Sequence, residues 1–200
     1  MKRFLVVGSW FLETAKAKPG SNPTDRNAMC KPRTKNQQPG TERLSATNDF
    51  VIKFANVNGS GSASANELFA KAILRMGVPV SPRNIFPSNI QGLPTWYEVR
   101  VSAAGHLGRR GGVDLMVAMN PQTFEADVRE IEAGGYLFFD STKPLPPGVR
   151  SDIEIIGMPL TMLCVKHYDD PRQRQLLKNV LYRGGLSMLL GIEPEVVETL

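Results

Sequence analysis

Residues 113–119, V-D-L-M-V-A-M, are of strand length and apolar almost without interruption. Successive side chains of a strand point to opposite faces of the pleat, so a strand of this composition must be covered on both sides. Residues 50–57, 136–139 and 153–156 are shorter runs of the same kind. Between them the spacing changes to that of helices: Phe69, Ile73 and Met76 share one face, and so do Phe124, Val128 and Ile131. Apolar strands separated by amphipathic helices predict an α/β domain, Rossmann-like, with a mostly parallel sheet and helices on both faces.

The punctuation fits that plan. Gly77 is expected to close the first helix as its C′ residue. Asn120-Pro121 is expected to cap the second, with proline at its first position, and Gly134-Gly135 to stop it. Prolines at 82, 87 and 94 make residues 83–95 an expected irregular loop. Residues 96–102 then alternate as a half-buried strand, and Ala104-Gly105 turns into a second, weaker one. Asp170-Pro171 caps a last long helix in which Leu177, Val180, Leu181 and Met188 line one face, Gly184-Gly185 let another backbone approach, and Gly191 marks the end. Glu193-Pro194 opens a further amphipathic helix with little to bury it before Leu200, so the chain is expected to be cut short relative to a longer parent. The expected organisation is a tail over 1–49, one domain over 50–193, and the start of a truncated helix or linker over 194–200.

What precedes Phe50 differs in kind. Residues 1–49 hold nine Lys/Arg against four Asp/Glu among many Pro, Gly, Asn and Gln, whereas residues 50–200 hold fifteen of each. The net charge of +5 therefore lies in a basic tail that is expected to be disordered. The neutral remainder offers no electrostatic footprint for nucleic acid. Met1-Lys2-Arg3, the apolar residues 4–12 and Ala15-Lys16-Ala17 have the outline of a weak secretory signal, although Glu13 and Lys16 crowd its cleavage region. A mis-assigned start is the alternative, and a cytoplasmic setting fits the rest of the chain. No apolar stretch reaches the ~20 residues of a membrane span. Cys30 and Cys164 form no C-x-x-C pair, and two histidines, His106 and His167, leave little for a metal centre or a catalytic triad.

In open parallel sheets, ligands gather beyond the carboxyl ends of the strands. The residues due there are small and polar: Asn58, Gly59, Ser60, Gly61 and Ser62 after the first strand, Asn120 after another, Asp140-Ser141-Thr142 after a third and Gly157-Met158-Pro159 after a fourth. Asn120 and Asp140 equally suit plain caps and turns. The run V-N-G-S-G-S-A-S-A-N, residues 57–66, joins a strand to a helix N-terminus through glycines, an arrangement whose free amides can hold phosphate. It departs from the dinucleotide fingerprint, because Ser64 stands where the third glycine belongs. Where a carboxylate should follow, the sequence reads V-P-V-S-P-R. That argues against NAD and leaves NADP open through Arg83. The loop is thus a phosphate cradle, a contact for a partner chain, or a tight turn. Residues 89–96, N-I-Q-G-L-P-T-W, are a second candidate contact: Asn89, Gln91 and Gly92 can hydrogen-bond an adjoining chain, and Trp96 either offers an amphipathic surface or plugs the domain's own core.

Four stretches carry a family resemblance: V-N-G-S-G-S-A-S-A-N, N-I-F-P-S-N-I-Q-G-L-P-T-W-Y-E-V-R-V-S, M-V-A-M-N-P-Q-T and G-G-Y-L-F-F-D-S-T. Together, from about residue 50 to residue 193, they resemble the γ domain of thiamine-diphosphate-dependent 2-oxoacid:ferredoxin oxidoreductases. The closer likeness is to the form fused ahead of a pyrimidine-binding domain at the N-terminus of the α subunit, since free-standing γ subunits usually carry G-x-G-G-Q-G where this chain has G-S-G-S-A-S. The resemblance implies an assembly that converts a 2-oxoacid and coenzyme A to acyl-CoA and carbon dioxide while reducing ferredoxin. Thiamine diphosphate, magnesium and iron–sulfur clusters are then held by other domains, and the γ domain, inactive alone and binding no cofactor by itself, packs beside them and helps hold coenzyme A. Neither a catalytic residue nor a metal ligand carries over. The candidate contacts for coenzyme A, phosphate or partner are the loop and strand-end residues named above, and Arg109-Arg110 reads either as a phosphate contact or as a solvated pair. The other function class is an independent Rossmann-like module binding NADP or coenzyme A, which rests on the glycine loop alone.

Overall fold

The computed structural model describes residues 48–87 and 90–200. Of the tail expected to be disordered over 1–49, residues 1–47 lie outside the described residues, as do the signal-like segment, Cys30 and Asn89, whereas Asp49 already belongs to β1. β1 (Asp49–Val57) leads through the glycine run into α1 (Ser62–Arg75). A hairpin of β2 (Val80–Ile85) and β3 (Pro94–Ser102) follows, then β4 (Val113–Ala118), α2 (Phe124–Arg129), β5 (Ile131–Asp140), β6 (Glu154–Met158), α3 (Leu160–His167), α4 (Pro171–Leu189) and α5 (Pro194–Glu198). The six strands form one sheet in the order β2-β3-β1-β4-β5-β6. β1, β4, β5 and β6 are parallel, with Phe54, Val117 and Phe138 abreast; β3 is antiparallel to β1, and β2 to β3. The expected Rossmann-like, mostly parallel sheet is present, extended by an antiparallel hairpin at one edge. No helix among the described residues is long and apolar enough to cross a membrane.

Alternation along the strands sorts the side chains into two cores of unequal size. On one face Phe54, Tyr97, Val117 and Phe138 meet Phe69 of α1 and Tyr182 of α4. The Phe54 ring lies 5.6 Å from Phe69, 6.4 Å from Tyr97 and 6.1 Å from Tyr182. The other face gathers Ala55, Met116, Val128, Ile131 and Leu137 under α2, with Leu145 and Val149 of the β5–β6 connection packed against them. Helices do cover both faces, but the second has only this short one. Beside it the sheet carries paired charges: Arg100, 6% exposed, pairs with Asp49, Lys53 pairs with Glu130, and Arg83 and Arg109 reach Glu98 at 3.8 and 3.6 Å. Arg100, Lys53 and Glu98 are the poorly hydrated members of these pairs, and each has an opposite partner.

Several boundaries differ from the sequence-based expectation. The proline-marked loop over 83–95 begins inside a strand, because β2 is an edge strand with one neighbour, where Pro82 is tolerated. The weaker strand after Ala104-Gly105 is absent; the turn is there, with Gly105 at φ +78, and an irregular connection runs from it to β4. The helix expected from Asn120-Pro121 to Gly134-Gly135 is shorter at both ends. Asn120 Oδ1 accepts a hydrogen bond from Gln122 N–H at 3.0 Å, which folds the segment into a turn before the helix begins, with Thr123 at its N-cap. Ile131 already belongs to β5, and Gly134-Gly135 form an irregularity inside it rather than a helix stop: Gly134 has φ +78, and a Cβ on Gly135 would stand 2.8 Å from Asp114 O. α3 escapes the sequence pattern altogether. By contrast Gly77 is the expected left-handed closure of α1, and Asp170 caps α4 by accepting from Gln173 N–H at 2.9 Å. α5 opens at Pro194 as expected, yet it is not bare: Val196, Val197 and Leu200 pack on the main core, and Arg75 Nη1 donates to Thr199 O at 3.0 Å.

Candidate functional site

The strand directions bring the carboxyl ends of β1, β4, β5 and β6 and the β2–β3 connection to the same edge of the sheet. The two loops singled out by sequence therefore meet there. Asn58 N–H donates to Leu93 O at 2.8 Å, Gly92 N–H donates to Asn58 O at 3.0 Å, and Asn58 Nδ2 donates to Ile90 O at 3.1 Å. Gly59, at φ +83, has no space for a side chain, since its Cβ would stand 2.7 Å from Gln91 Cγ. Gly61, at φ +76, is the N-cap of α1, whose first turn has neither a side-chain cap nor an acidic residue. The positive end of the helix dipole and the first-turn amides thus face the loop without a local carboxylate. Ser62 is buried, with Oγ 3.0 Å from Ser60 Oγ. From above, Asn179 Nδ2 of α4 donates to Ser60 O at 2.9 Å.

Two adjoining cavities, of about 410 and about 460 Å³, share Met119, Pro121 and Lys178 as walls. The first opens on Asn58, Gly59, Gln91 and Gly92, the second on Phe124, Phe139 and Asp140. Lys178 stands between them, its Nζ 2.7 Å from Asp140 Oδ2 and 3.1 Å from Thr161 Oγ1. Asp140 also accepts from Thr142 Oγ1 at 2.7 Å and from Thr161 N–H at 3.2 Å, so it caps the first turn of α3. Burial opposes ionisation of this carboxyl, but the hydrogen bonds from Lys178, Thr161 and Thr142 outweigh it and hold Asp140 well below the usual carboxylate range. Nothing in the sequence analysis singled out Lys178. The signal was there in Gln175, Lys178, Asn179 and Tyr182, a polar stripe at helical spacing.

The other candidates take supporting positions. Asn120 is 1% exposed and holds the β4–α2 turn, its Nδ2 donating to Asn56 O at 3.3 Å. Trp96 is half-buried against the second core; its Nε1 donates to Asp127 Oδ1 at 2.8 Å, and Lys53 Nζ lies 5.5 Å from its ring. Burial pushes the Asp127 carboxyl up, opposed by hydrogen bonds from Thr123 and Trp96. Arg110 pairs with Asp114 and Arg109 faces Glu98, near the start of β4 and so at the opposite edge from the cavities. His106 and His167 are exposed, and Cys164 is buried, which raises its thiol pKa.

The family model described as pyruvate ferredoxin/flavodoxin oxidoreductase matches residues 51–200. The 2-oxoglutarate oxidoreductase subunit KorA of Mycobacterium tuberculosis is 24% identical over 181 residues, covering 78% of this chain and 27% of that protein. The solved 2-oxoglutarate:ferredoxin oxidoreductase from Magnetococcus marinus, with 2-oxoglutarate, coenzyme A and succinyl-CoA bound, superposes with a TM-score of 0.63 at 23% identity over 76% of this chain and 26% of that one. The gamma subunit of the keto/oxoacid ferredoxin oxidoreductase from Geobacter sulfurreducens gives a TM-score of 0.57 at 21% identity over 75% and 83%. The chain thus spans about a quarter of the first two proteins and most of the third. At these identities the structural likeness speaks to the fold, while the matched family is the one that the four sequence stretches resemble.

Proposed function

This chain belongs to the pyruvate ferredoxin/flavodoxin oxidoreductase family, and from that premise we propose that it is the γ domain of a 2-oxoacid:ferredoxin oxidoreductase, acting with thiamine-binding partner domains. The complete assembly cleaves the bond between the carboxylate and the carbonyl carbon of a 2-oxoacid, releases carbon dioxide, passes two electrons to ferredoxin and transfers the acyl group to coenzyme A. Thiamine diphosphate, when bound, supplies the carbanion chemistry of that cleavage. The described residues include no group of three or more His, Cys, Asp or Glu that could hold a metal ion, and their one cysteine is buried within α3. One buried cysteine does not suit an iron–sulfur cluster, and on the γ-domain reading we assign the clusters, thiamine diphosphate and magnesium to the partners.

The work of this chain is to hold the anionic co-substrate. One observation supports this above the others: the glycine loop that enters the uncapped α1 places Asn58, Gly59 and Ser60 on the crevice that also contains Lys178, while Gly61 and Ser62 line a smaller cavity of about 230 Å³ that shares Asn58 and Gly59 with it. In this arrangement the amides of Gly59, Gly61 and Ser62 take phosphate oxygens of coenzyme A, Gln91 and Gly92 flank them, and Lys178 supplies positive charge within a low-dielectric wall. Trp96, Asn120 and Asp140 keep the walls in place. Calorimetry should show coenzyme A binding that Lys178→Gln weakens about tenfold, or about 1.4 kcal/mol. Adding the thiamine-binding partners should restore 2-oxoacid-dependent ferredoxin reduction. The independent nucleotide-binding alternative predicts tight NADP binding by a chain that joins no partner; its one specific residue, Arg83, faces Glu98.

A further inference from the structure

α4 has two apolar faces, and the fold uses one. Tyr182, Leu186 and Leu189 point into the main core. The face grouped by sequence is split: Leu181 packs against that core and Leu177 is half-buried, whereas Val180 is 51% and Met188 74% exposed, and Leu176 beside them is 49% exposed. Residues four apart stack along one side of a helix, so Leu176, Val180, Gly184 and Met188 make a continuous outward ridge. Gly184 sits in its middle, and a Cβ there would meet nothing within 4 Å. Its neighbour Gly185 is different, because a Cβ would stand 3.0 Å from Met158 Sδ. Internal packing accounts for Gly185 and not for Gly184, although a glycine within a helix weakens it. A notch in an apolar ridge is what a second helix needs in order to approach closely.

Charge narrows the occupant. α4 carries Arg172, Arg174 and Arg183 outside the crevice, Lys178 being turned to Asp140, and has no acidic residue beyond its cap Asp170; α3, which adds exposed Met162 and Val165, carries Lys166 and no acid. A second copy of the chain would set these cations against one another. A membrane surface would call for aromatic anchors, and the ridge has none. We propose that the Leu176–Val180–Gly184–Met188 ridge seats an amphipathic helix with acidic flanks, contributed by a thiamine-binding partner of the same oxidoreductase. This rests on the γ-domain assignment above and specifies the surface through which it docks.

The test uses the full chain, the purified thiamine-binding partner subunits and association measured by calorimetry and gel filtration. Gly184→Leu and Val180→Glu should each weaken association at least tenfold, with melting not lowered and coenzyme A binding unchanged; Arg183→Glu should weaken it less and flatten its salt dependence. Leu74→Glu, on the exposed side of α1, should have no effect. If the wild-type chain binds the partners and both ridge variants bind equally well, the surface is wrong and the γ-domain assignment stands. A wild-type chain that binds no partner overturns both. Self-association abolished by Gly184→Leu, or binding to phosphatidylserine vesicles abolished by Val180→Glu, would replace the acidic helix with a second copy or a membrane and overturn the proposal.

Discussion

Gly61 and Gly77 share a left-handed backbone, at φ +76 and +84, and differ in surroundings. An alanine at 77 meets open space, so its cost is that of the conformation, about 1–2 kcal/mol. At 61 the new Cβ would stand 2.8 Å from Leu176 Cδ2, the tip of a half-exposed side chain that can turn aside, so Gly61→Ala should also lose about 1–2 kcal/mol, read from paired urea titrations. Lys178 and Asp140 side chains are 20% and 16% exposed, so Lys178→Met should cost about 2 kcal/mol at neutral pH. The folded Asp140 carboxyl is depressed, so its stabilisation is present above the unfolded value of about 3.9 and is lost as pH falls toward the folded one. The stability gap between wild type and Lys178→Met should therefore narrow from pH 7 to pH 3, and a constant gap would count against the pair. The glycines were readable in the sequence because positive φ has few other occupants. Lys178 was not, because a lysine on a helix reads as solvated until the opposite wall is known.

At the level of elements, α4 shows what local sequence decides. Its start is written in Asp170-Pro171, and Asp170→Ala should lower stability by about 1 kcal/mol in thermal melts. Which apolar face turns inward is decided elsewhere, by Phe54 and by Asn66, whose Oδ1 accepts the buried Tyr182 hydroxyl at 2.8 Å. Tyr182→Phe leaves that acceptor without its donor and should cost about 1–2 kcal/mol by the same measurement. The end of α2 was misread for a related reason. Ile131 lies seven residues beyond Phe124 and points into the same core as the helix, so its periodicity gave no warning that the backbone had become a strand.

For the whole molecule, the α/β class and the parallel strands were legible, because doubly apolar runs admit few alternatives. The β2–β3 hairpin was not, since its pairing to β1 joins residues far apart in sequence and its prolines read as loop. Phe54 stands where β1, α1, β3 and α4 converge, and Phe54→Ala should cost about 3–5 kcal/mol and loosen all four together. Hydrogen exchange should be slowest in β1 and β4, the two central strands, and fastest in the edge strands β2 and β6.

β2 also determines how such domains behave when crowded. An outermost strand offers unsatisfied amides to any extended segment that drifts past, which is the route to fibrils. Pro82 withholds one of those amides and Arg83 adds charge and bulk next to it, so this border is a poor template for a stranger's backbone. The residue that disguised the strand from sequence analysis is also the one that keeps the sheet from growing.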